Sequence, residues 1–291
     1  MNKLIIIYPS ETDFKIDSNY KTEYNIASQI GIECIIFNFD KFKNESIFEV
    51  NKIIKDKTFT IYRGWMMTID EYTKFYSECL KNNLILITHP IKYKEAHYFP
   101  YFYQYIKNYT LKIDYIRESK YINLTIDEQK NLFIDLIKCH ENFIIKDFVK
   151  SNKTQNGVKV FSRNISKDDL YNEIQKFIND RKTFGNFYEG LVFKTYVSLK
   201  KYEDKTNEWR LWIYNNKIID YSQNSNLKIN QCKSPNIDKY IKIVKNIPIQ
   251  FFTLDIAETT KNQWTILEAG DAQVSGPATG QNFYSLYNNL I

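Results

Sequence analysis

The segment from Phe143 to Val149 reads as an apolar strand with one lysine, Lys146, at its centre. An ammonium group is costly to bury in such a strand unless an anion accompanies it, so Lys146 predicts an anionic ligand such as a phosphate. Alternate residues of a strand share a face, which places Lys150 on the same side. A polar run, residues 151–156, follows, and a second strand after it would complete a hairpin suited to covering phosphates. The alternative is an edge strand whose lysines face water and discourage aggregation.

Two later apolar segments each carry a carboxylate: Asp255 lies in Phe251 to Ala257, and Glu268 ends the run from Trp264. If these segments form a hairpin, the carboxylates lie opposite or nearly so, at roughly 5 Å between Cβ atoms. Facing carboxylates repel unless a shared proton, a basic side chain or a hard cation neutralises them. We favour Mg²⁺ carrying a phosphate, because such sites use one or two carboxylates plus substrate oxygens. A structural ion pair is the alternative.

Asp271 and Gln273 lie in the loop that follows Glu268, residues 269–280, which holds three of the eight glycines in the chain. Glycine lets the backbone approach a ligand closely, and the position directly after the acidic strand favours a loop that contacts the ligand. A plain surface connection is the alternative.

Arginine is scarce, since only five of the 40 basic residues are arginine, and two of these stand in apolar strand-like segments. Arg210 lies in Glu208 to Trp212, where its planar fork suits a phosphate or a carboxylate. A pair with Glu208 on the same strand is the alternative. Arg63 ends another apolar segment just before Gly64.

Other catalytic arrangements find little support. The three histidines come without an elbow motif for a Ser/His/Asp triad, and His97 is interpreted as a packing or hydrogen-bonding residue. The pair Lys146-Asp147 lacks the glycine of covalent nucleotidyl-lysine motifs. The four cysteines are widely spaced, and their spacing predicts neither a disulfide framework nor a zinc site.

The secondary-structure elements that position these residues indicate two fold classes. Strand and helix alternate through about residue 90, which predicts a small parallel α/β lobe. Residues 142–291 are predicted to be an α+β unit built on antiparallel sheet, with a hairpin turn at Asn215-Asn216. The predicted strands are 3–8, 34–39, 58–62, 84–88, 142–149, 157–161, 190–197, 208–214, 217–222, 251–257 and 264–268, and the predicted helices are 18–30, 69–82, 92–110, 125–139, 167–180 and 236–245.

Composition supports a folded chain. Hydrophobic residues make up 43% of the 291 residues and aromatic residues 16%, which argues against disorder. No stretch approaches the roughly 18 apolar residues of a membrane span, and no signal peptide is recognisable, so we expect a soluble cytoplasmic protein with no membrane partner. The net charge of +6 is scattered among acids. Because this charge forms no basic stripe, a nucleic acid partner is disfavoured. A nucleic-acid-modifying protein stays a third hypothesis, which strong salt-sensitive binding to RNA or DNA would support.

Read in order, several segments resemble the ATP-grasp superfamily, and more narrowly its divergent clade named for one arginine and two lysines. That clade includes the eukaryotic protein that helps to assemble a translation initiation factor. The resemblance covers nearly the whole chain and rests on the strings YRGWMM, HYFPYFYQYI, IIKDFVKS, GLVFKTYV, EWRLWIYNNKI and FFTLDIA followed by ILEAGDAQVSG.

The resemblance implies an ATP-grasp fold that joins α/β and α+β parts. Residues 1–95 would be a pre-ATP-grasp α/β lobe, 96–189 a middle lobe with helices and the phosphate-covering hairpin, and 190–291 a C-terminal lobe with metal ligands. ATP would lie between the last two lobes. By position, the resemblance implies that Lys146 and Lys150 contact the nucleotide, that the backbone of a hinge (Phe193, Lys194, Thr195 and Tyr196) meets adenine, that Arg210 faces the phosphates, and that Asp255 and Glu268 hold Mg²⁺.

The chain departs from the family pattern at two positions. Lys194 stands where the clade often has an arginine. Gly270 stands where many members have an asparagine ligand, so Asp271 is our substitute for the third metal ligand. Arg63 and Gln273, at a strand end and in a loop, are candidates for substrate contact.

The implied reaction is ATP-dependent ligation. A carboxylate takes the γ-phosphoryl group, and an amine captures the acyl phosphate. The expected ligands are therefore ATP, Mg²⁺ and carboxylate and amine substrates, among them a peptide or protein, with Arg210 and Lys150 as catalytic residues. The alternative is a nucleotide-dependent binding or assembly factor without ligase turnover.

Overall fold

The computed structural model describes residues 4–10, 13–149, 153–154, 157–183, 187–225, 227 and 232–290. The chain divides into two compact units, each made of discontinuous segments. The first unit comprises residues 1–97, 201–257 and 268–291, and the second comprises residues 98–200 and 258–267. The division into three lobes expected from the sequence stays a prediction.

The helices and strands within the described residues are numbered in chain order. The helices are α1 (Lys21–Gln29), α2 (Phe39–Glu45), α3 (Ile69–Lys81), α4 (Pro90–His97), α5 (Phe99–Ile106), α6 (Ile126–Ile137), α7 (Lys167–Thr183), α8 (Asp238–Val244) and α9 (Phe283–Asn288), with one 3₁₀ turn at Glu118–Lys120. The strands are β1 (Leu4–Ser10), β2 (Glu33–Asn38), β3 (Thr58–Tyr62), β4 (Leu84–Leu86), β5 (Ile113–Arg117), β6 (Asn142–Asp147), β7 (Lys153–Thr154), β8 (Gly157–Val158), β9 (Val160–Ser162), β10 (Gly190–Thr195), β11 (Lys201–Tyr202), β12 (Lys205–Thr206), β13 (Glu208–Tyr214), β14 (Lys217–Gln223), β15 (Phe251–Glu258) and β16 (Trp264–Asp271).

The first unit contains a parallel sheet in the order β2-β1-β3-β4. Its strands are short apolar runs, as expected for a sheet covered on both faces. Successive residues of β1 enter two different cores: Ile5 and Ile7 pack with Phe75 of α3, whereas Ile6 and Tyr8 pack with Leu286 of α9. This sheet confirms the parallel α/β lobe predicted from the sequence.

An antiparallel arrangement surrounds β13, which pairs with β14 on one side and β15 on the other, and the sheet order is β14-β13-β15-β16. The turn between β13 and β14 holds Asn215 and Asn216 at φ values of 47° and 62°. Two left-handed residues are what a type I′ hairpin turn requires, so the predicted hairpin is confirmed. Trp212 and Phe251 of this sheet join Tyr8 in one buried cluster.

The second unit is built on a sheet in the order β5-β10-β6-β9, whose neighbouring strands are all antiparallel. One face of this sheet forms a core with α6 and α7 that includes Phe133, Phe143, Ile174 and Phe193. A capping box at Thr125 starts α6, because its side chain accepts from the Glu128 backbone while the Glu128 side chain accepts from Thr125. Among the helices in the described part of the chain, none is long and apolar enough to cross a membrane.

Candidate functional site

Lys146 and Lys194 lie on the same face of the sheet in the second unit. In the register between β6 and β10, Lys146 of β6 is opposite Val192 of β10. Lys194 follows Val192 by two residues on β10. Alternation therefore directs both lysines away from the core face that holds Phe193. They are 3% and 4% exposed.

The ring of Phe99, the first residue of α5, brings the two lysines together. The Nζ atom of Lys146 lies 5.1 Å from the ring centroid, and the Nζ atom of Lys194 lies 4.7 Å from it. Lys194 also donates to the carbonyl of Leu267. Cation–π contact offsets part of the cost of burying an ammonium group. Two buried positive charges around one ring make this face of the sheet suited to an anionic ligand.

The predicted hinge continues from β10. The Phe193 side chain is fully buried in the core of the second unit, so only its backbone could meet a ligand. The backbone N–H groups of Thr195 and Tyr196 already donate to the carbonyls of Lys112 and Asn142. Tyr196 is 37% exposed, which makes its ring the most accessible part of the hinge.

Lys150 lies outside the described residues, so its predicted place beside Lys146 stays a prediction. The flanking strands bear out the hairpin itself: β6 pairs with β9, with Asn142 opposite Ser162.

In the first unit, Arg210 and Asp255 face each other across β13 and β15. Nε and Nη2 of Arg210 donate to the two oxygens of Asp255, each at 2.7 Å, and Nη1 donates to the carbonyl of Gly276. Burial disfavours the charged guanidinium, yet hydrogen bonding to Asp255 and the charges of Asp255 and Glu268 together raise the pKa of Arg210. The ion pair that the sequence left open for Asp255 is therefore present, and its partner is Arg210.

Glu268 lies on β16, the neighbour of β15 in the sheet, and its charge acts on Arg210. The two carboxylates of Asp255 and Glu268 and the guanidinium of Arg210 together carry one net negative charge. A carboxylate has about four lone-pair positions, so the pair with Arg210 leaves Asp255 able to accept further. Hard oxygen ligands of this kind suit Mg²⁺, and Asp255 and Glu268 therefore fit the predicted metal.

Asp271 does not fit the role of third metal ligand. It is 1% exposed, and both its oxygens accept from the side-chain amide of Gln273, whose backbone N–H also donates to it at 2.7 Å. Burial raises the pKa of Asp271 to about 7, although the hydrogen bonds from Gln273 lower it. A carboxyl group that is buried, half protonated near neutrality and already hydrogen-bonded organises the loop instead of presenting oxygens to an ion.

Arg63 and Gln273, the candidates for substrate contact, are also buried. Arg63 is 1% exposed, forms an ion pair with Glu23, and donates from Nη1 to the carbonyls of Gln273 and Ser275 at 3.1 and 3.0 Å. Gln273 is fully buried, and its Oε1 accepts from the Tyr72 hydroxyl. These contacts do not fit a substrate role. Through them, both residues hold the loop after Glu268 in place.

Sequence reasoning did not identify three residues that contribute to the candidate site. Phe99 gave no local signal, because it lies in an aromatic helix where any ring could serve. Thr253 lies two residues before Asp255 on the same strand face, and its hydroxyl is 2.9 Å from that of Ser275. Asp147, beside Lys146, is fully buried and pairs with Arg181 at 2.9 Å, a contact that only the fold creates.

Comparison with known proteins agrees with this architecture. A family model matches residues 131–290, which is more than half of the chain, and it describes family 3 of the ATP-grasp domains in the clade named for one arginine and two lysines. No match was found among curated protein sequences. The predicted ATP-grasp fold is confirmed by this match and by the solved structures that resemble the chain.

Three of those structures illustrate the likeness. The D-cycloserine synthetase DcsG is 9% identical, with a TM-score of 0.62 over 99% of this chain and 98% of that one. The ATP-grasp ligase PsnB complexed with minimal precursor is 10% identical, with a TM-score of 0.58 over 100% and 98%. The D-alanyl-alanine synthetase A from Vibrio cholerae is 11% identical, with a TM-score of 0.56 over 99% and 93%. At these identities the likeness concerns the fold.

Proposed function

The chain belongs to family 3 of the arginine/two-lysine clade of ATP-grasp domains, and on that premise we propose that it binds Mg-ATP and joins a carboxylate to an amine. The observation that carries the proposal is the buried pair Lys146 and Lys194 around the Phe99 ring. A sheet face that holds two buried ammonium groups is suited to the polyphosphate of a nucleotide, because opposite charges attract strongly in a buried site.

In this proposal the nucleotide is held by residues that the family resemblance indicates, Lys146, Lys150 and the hinge, and the contact of the Lys194 side chain with the phosphates is our addition. Lys146 and Lys194, together with Lys150, contact the phosphates, and the backbone that continues from β10 meets adenine. Because the N–H groups of Thr195 and Tyr196 are already engaged, adenine would use the carbonyls of this segment or the N–H of a following residue.

Asp255 and Glu268 would hold the magnesium ion of Mg-ATP, which neutralises charge on the phosphate oxygens. Arg210 serves two purposes here. Its bidentate contact orients the Asp255 carboxylate, and its positive charge adds to the offset of charge on the transferred group. Thr253 and Ser275, through their shared hydrogen bond, keep the strand and the loop in register beside these acids.

The proposed reaction proceeds in two balanced steps. A substrate carboxylate oxygen attacks the γ-phosphorus, the bond to the β,γ-bridging oxygen breaks, and ADP leaves. The amine then attacks the acyl carbon, phosphate leaves with the electron pair of the broken C–O bond, and the amine proton passes to solvent. Lys146, Lys194 and Arg210 contribute position and positive charge, which is most of what phosphoryl transfer asks of a protein.

The names of the similar structures support a ligase without fixing its substrates. Two are synthetases, one for D-cycloserine and one for D-alanyl-alanine, and PsnB is a ligase complexed with a precursor. We extend this to the present chain only as a class of reaction: amide or peptide-type bond formation between a carboxylate and an amine, with a peptide or protein among the candidate substrates.

The nucleotide part of the proposal is tested by thermal unfolding with and without Mg-ATP. A ligand at about 100 times its dissociation constant adds roughly 2.7 kcal/mol, which amounts to several degrees for a chain of this size. The wild type and the control Lys176→Met, an exposed lysine on α7, should show the shift, whereas Lys146→Met should lose it. An equal shift in Lys146→Met and Lys176→Met would remove Lys146 from the nucleotide site.

One observation favours a second function, a nucleotide-dependent binding or assembly factor without turnover. Asp255 already has a cationic partner in Arg210, so the acidic site is stable without a metal ion. The two functions are separated by ADP release: steady release that depends on added carboxylate and amine supports the ligase, and tight binding without release across broad substrate trials supports the factor.

A further inference from the structure

Three metal-binding side chains converge in the second unit, where α6 ends and the edge strand β5 passes. Asp114 lies on β5, and Cys139 and His140 form the turn between α6 and β6. Oδ2 of Asp114 lies 3.0 Å from Nε2 of His140 and 3.1 Å from Sγ of Cys139, and all three atoms lie within 4.8 Å of one another. This group shares no residue with the proposed nucleotide and magnesium ligands.

The imidazole of His140 supplies a second, independent observation. Its side chain is fully buried, yet Nε2 makes no hydrogen bond of acceptable geometry to any residue that the structure describes. The 3.0 Å approach to Asp114 brings the atoms close without aligning them. A buried polar nitrogen without a well-aligned hydrogen bond costs free energy, and a cation bound to it would remove that cost.

The other ring nitrogen is held in place. Nδ1 of His140 lies 2.7 Å from Oγ1 of Thr195, at the end of β10. If Nδ1–H donates to this hydroxyl, Nε2 carries a lone pair and lies 3.0 Å from Oδ2 of Asp114, an arrangement that a cation bound by both atoms would stabilise. A histidine whose second nitrogen is anchored in this way is the usual arrangement for a metal ligand.

We propose that Asp114, Cys139 and His140 form a binding site for a zinc-type transition metal ion. Thiolate, imidazole and carboxylate are together the ligand set of Zn²⁺, whereas Mg²⁺ prefers oxygen ligands alone. Tetrahedral ligands at 2.0–2.3 Å from a metal lie roughly 3.3–3.8 Å from one another. The separations of Asp114 from His140 and Cys139, 3.0 and 3.1 Å, would therefore open by roughly half an ångström or less.

The fourth coordination position of the metal ion would be open to solvent. Cys139 is exposed and Asp114 is one-third exposed, so the ion can be reached from solvent and keeps a water molecule there. Binding replaces the contact of the Cys139 thiol with Asp114 by a metal–thiolate bond, and the thiol proton passes to solvent. Lys112, whose Nζ lies 3.8 Å from Asp114 Oδ2, has a side chain 54% exposed and can swing into water when the ion enters.

Cysteine spacing in the sequence predicts no zinc site, because such a prediction looks for paired cysteines. Here the ligands come from a strand and from a turn 25 residues later, with one cysteine only. Asp114 also belongs to a strand that the sequence does not predict.

The test is titration of the full-length chain with Co²⁺, followed by Zn²⁺, in excess Mg²⁺. One equivalent of Co²⁺ should produce a thiolate-to-cobalt charge-transfer band that Zn²⁺ abolishes. Cys139→Ser should lose the band, Asp114→Asn should weaken binding at least tenfold, and Cys232→Ser, the matched cysteine control, should behave as wild type. All three positions are at least partly exposed, so the variants are expected to fold, and equal unfolding midpoints would verify this.

Two outcomes overturn the proposal: no band in the wild type at a stoichiometric concentration of Co²⁺, or a band of equal strength in Cys139→Ser and Cys232→Ser. Loss of the band in Cys139→Ser with an unchanged response to Mg-ATP supports the metal site whatever the fate of the proposed ligase. The two proposals therefore fail or hold separately.

Discussion

The guanidinium of Arg210 lies directly opposite the carboxylate of Asp255 and binds it through two parallel hydrogen bonds, both 2.7 Å long. The two side chains are 17% and 13% exposed. The planar fork neutralises the acid and fixes the orientation of its oxygens at the same time. Asp255 is therefore held ready on β15 before any metal ion arrives.

Removing either partner should be costly. Arg210→Met leaves a mostly buried carboxylate without its cation, and we expect a loss of about 3 kcal/mol in the free energy of unfolding. The double variant Arg210→Met/Asp255→Asn should lose less than the sum of the single variants, with a coupling of at least about 1 kcal/mol. Urea unfolding of the four proteins measures this. Additive losses would mean that the pair contributes no coupling.

Local sequence pattern was sufficient where one or two charged residues interrupt an apolar run. The strands around Lys146 and Asp255 were predicted within a few residues of their observed ends, as was the hairpin turn at Asn215 and Asn216. In these segments alternation, turn chemistry and burial all indicate the same structure, so no tertiary information is needed.

The contacts that organise the candidate site could not be predicted from local sequence patterns. Lys194 comes beside Lys146 only through the register of β10 with β6, and β5 is a strand because β10 pairs with it. Arg63 and Gln273 were predicted to contact substrate because they stand at a strand end and in a loop. Their burial depends on partners far away in the chain, such as Glu23, and distant pairing leaves no periodic signal.

Lys194 occupies the position where the clade often has an arginine, and this exchange can be tested. Lys194→Arg retains the charge and a donor for the Leu267 carbonyl, so we expect the shift of the unfolding midpoint with Mg-ATP to persist. Lys194→Met removes both and should lose most of the shift. A full shift in Lys194→Met would show that Lys146 binds the phosphates without it.

Gly270 stands where many members of the family have an asparagine ligand, so Gly270→Asn tests the proposed magnesium site. A Cβ atom there would meet Ser275 Oγ at 3.4 Å and Thr253 Oγ1 at 3.6 Å, so a side chain fits after a small adjustment. Gly270→Asn places an amide oxygen two residues after Glu268, on the same strand face. The apparent affinity for Mg²⁺, measured by titration in the presence of ATP, should rise about fivefold, or about 1 kcal/mol. Gly270→Ala, the steric control, should show no gain.

The buried pair Arg63 and Glu23 should dominate the stability of the first unit. Their side chains are 1% and 2% exposed. Glu23→Gln leaves the guanidinium without a counter-charge, which is expected to cost about 3–5 kcal/mol in the free energy of unfolding. The exposed pair Lys81 and Glu78 provides the comparison, because Glu78→Gln should cost less than about 0.5 kcal/mol. Similar losses in both variants, by urea unfolding, would contradict the buried pair as a main source of stability.

Asp220 should make stability depend on pH. Burial raises the pKa of this carboxyl above its usual value of 3.8, although its hydrogen bonds with Ser285, Gln281 and the Tyr221 backbone lower it. A carboxyl whose pKa is higher in the folded state binds its proton more tightly there. Its contribution to stability is therefore fully present below pH 3.8 and is lost as the pH rises through the folded-state pKa.

Asp220→Asn removes this titration and keeps the hydrogen bonds, since the amide can accept from Gln281 and donate to Ser285. The free energy of unfolding of the wild type, relative to that of Asp220→Asn, should therefore fall as the pH rises from about 4 and level off above the folded-state pKa. Urea unfolding of both proteins across this range measures the difference. A difference that stays constant with pH would show that the carboxyl titrates alike in the folded and unfolded states, and that the two hydrogen bonds offset the effect of burial.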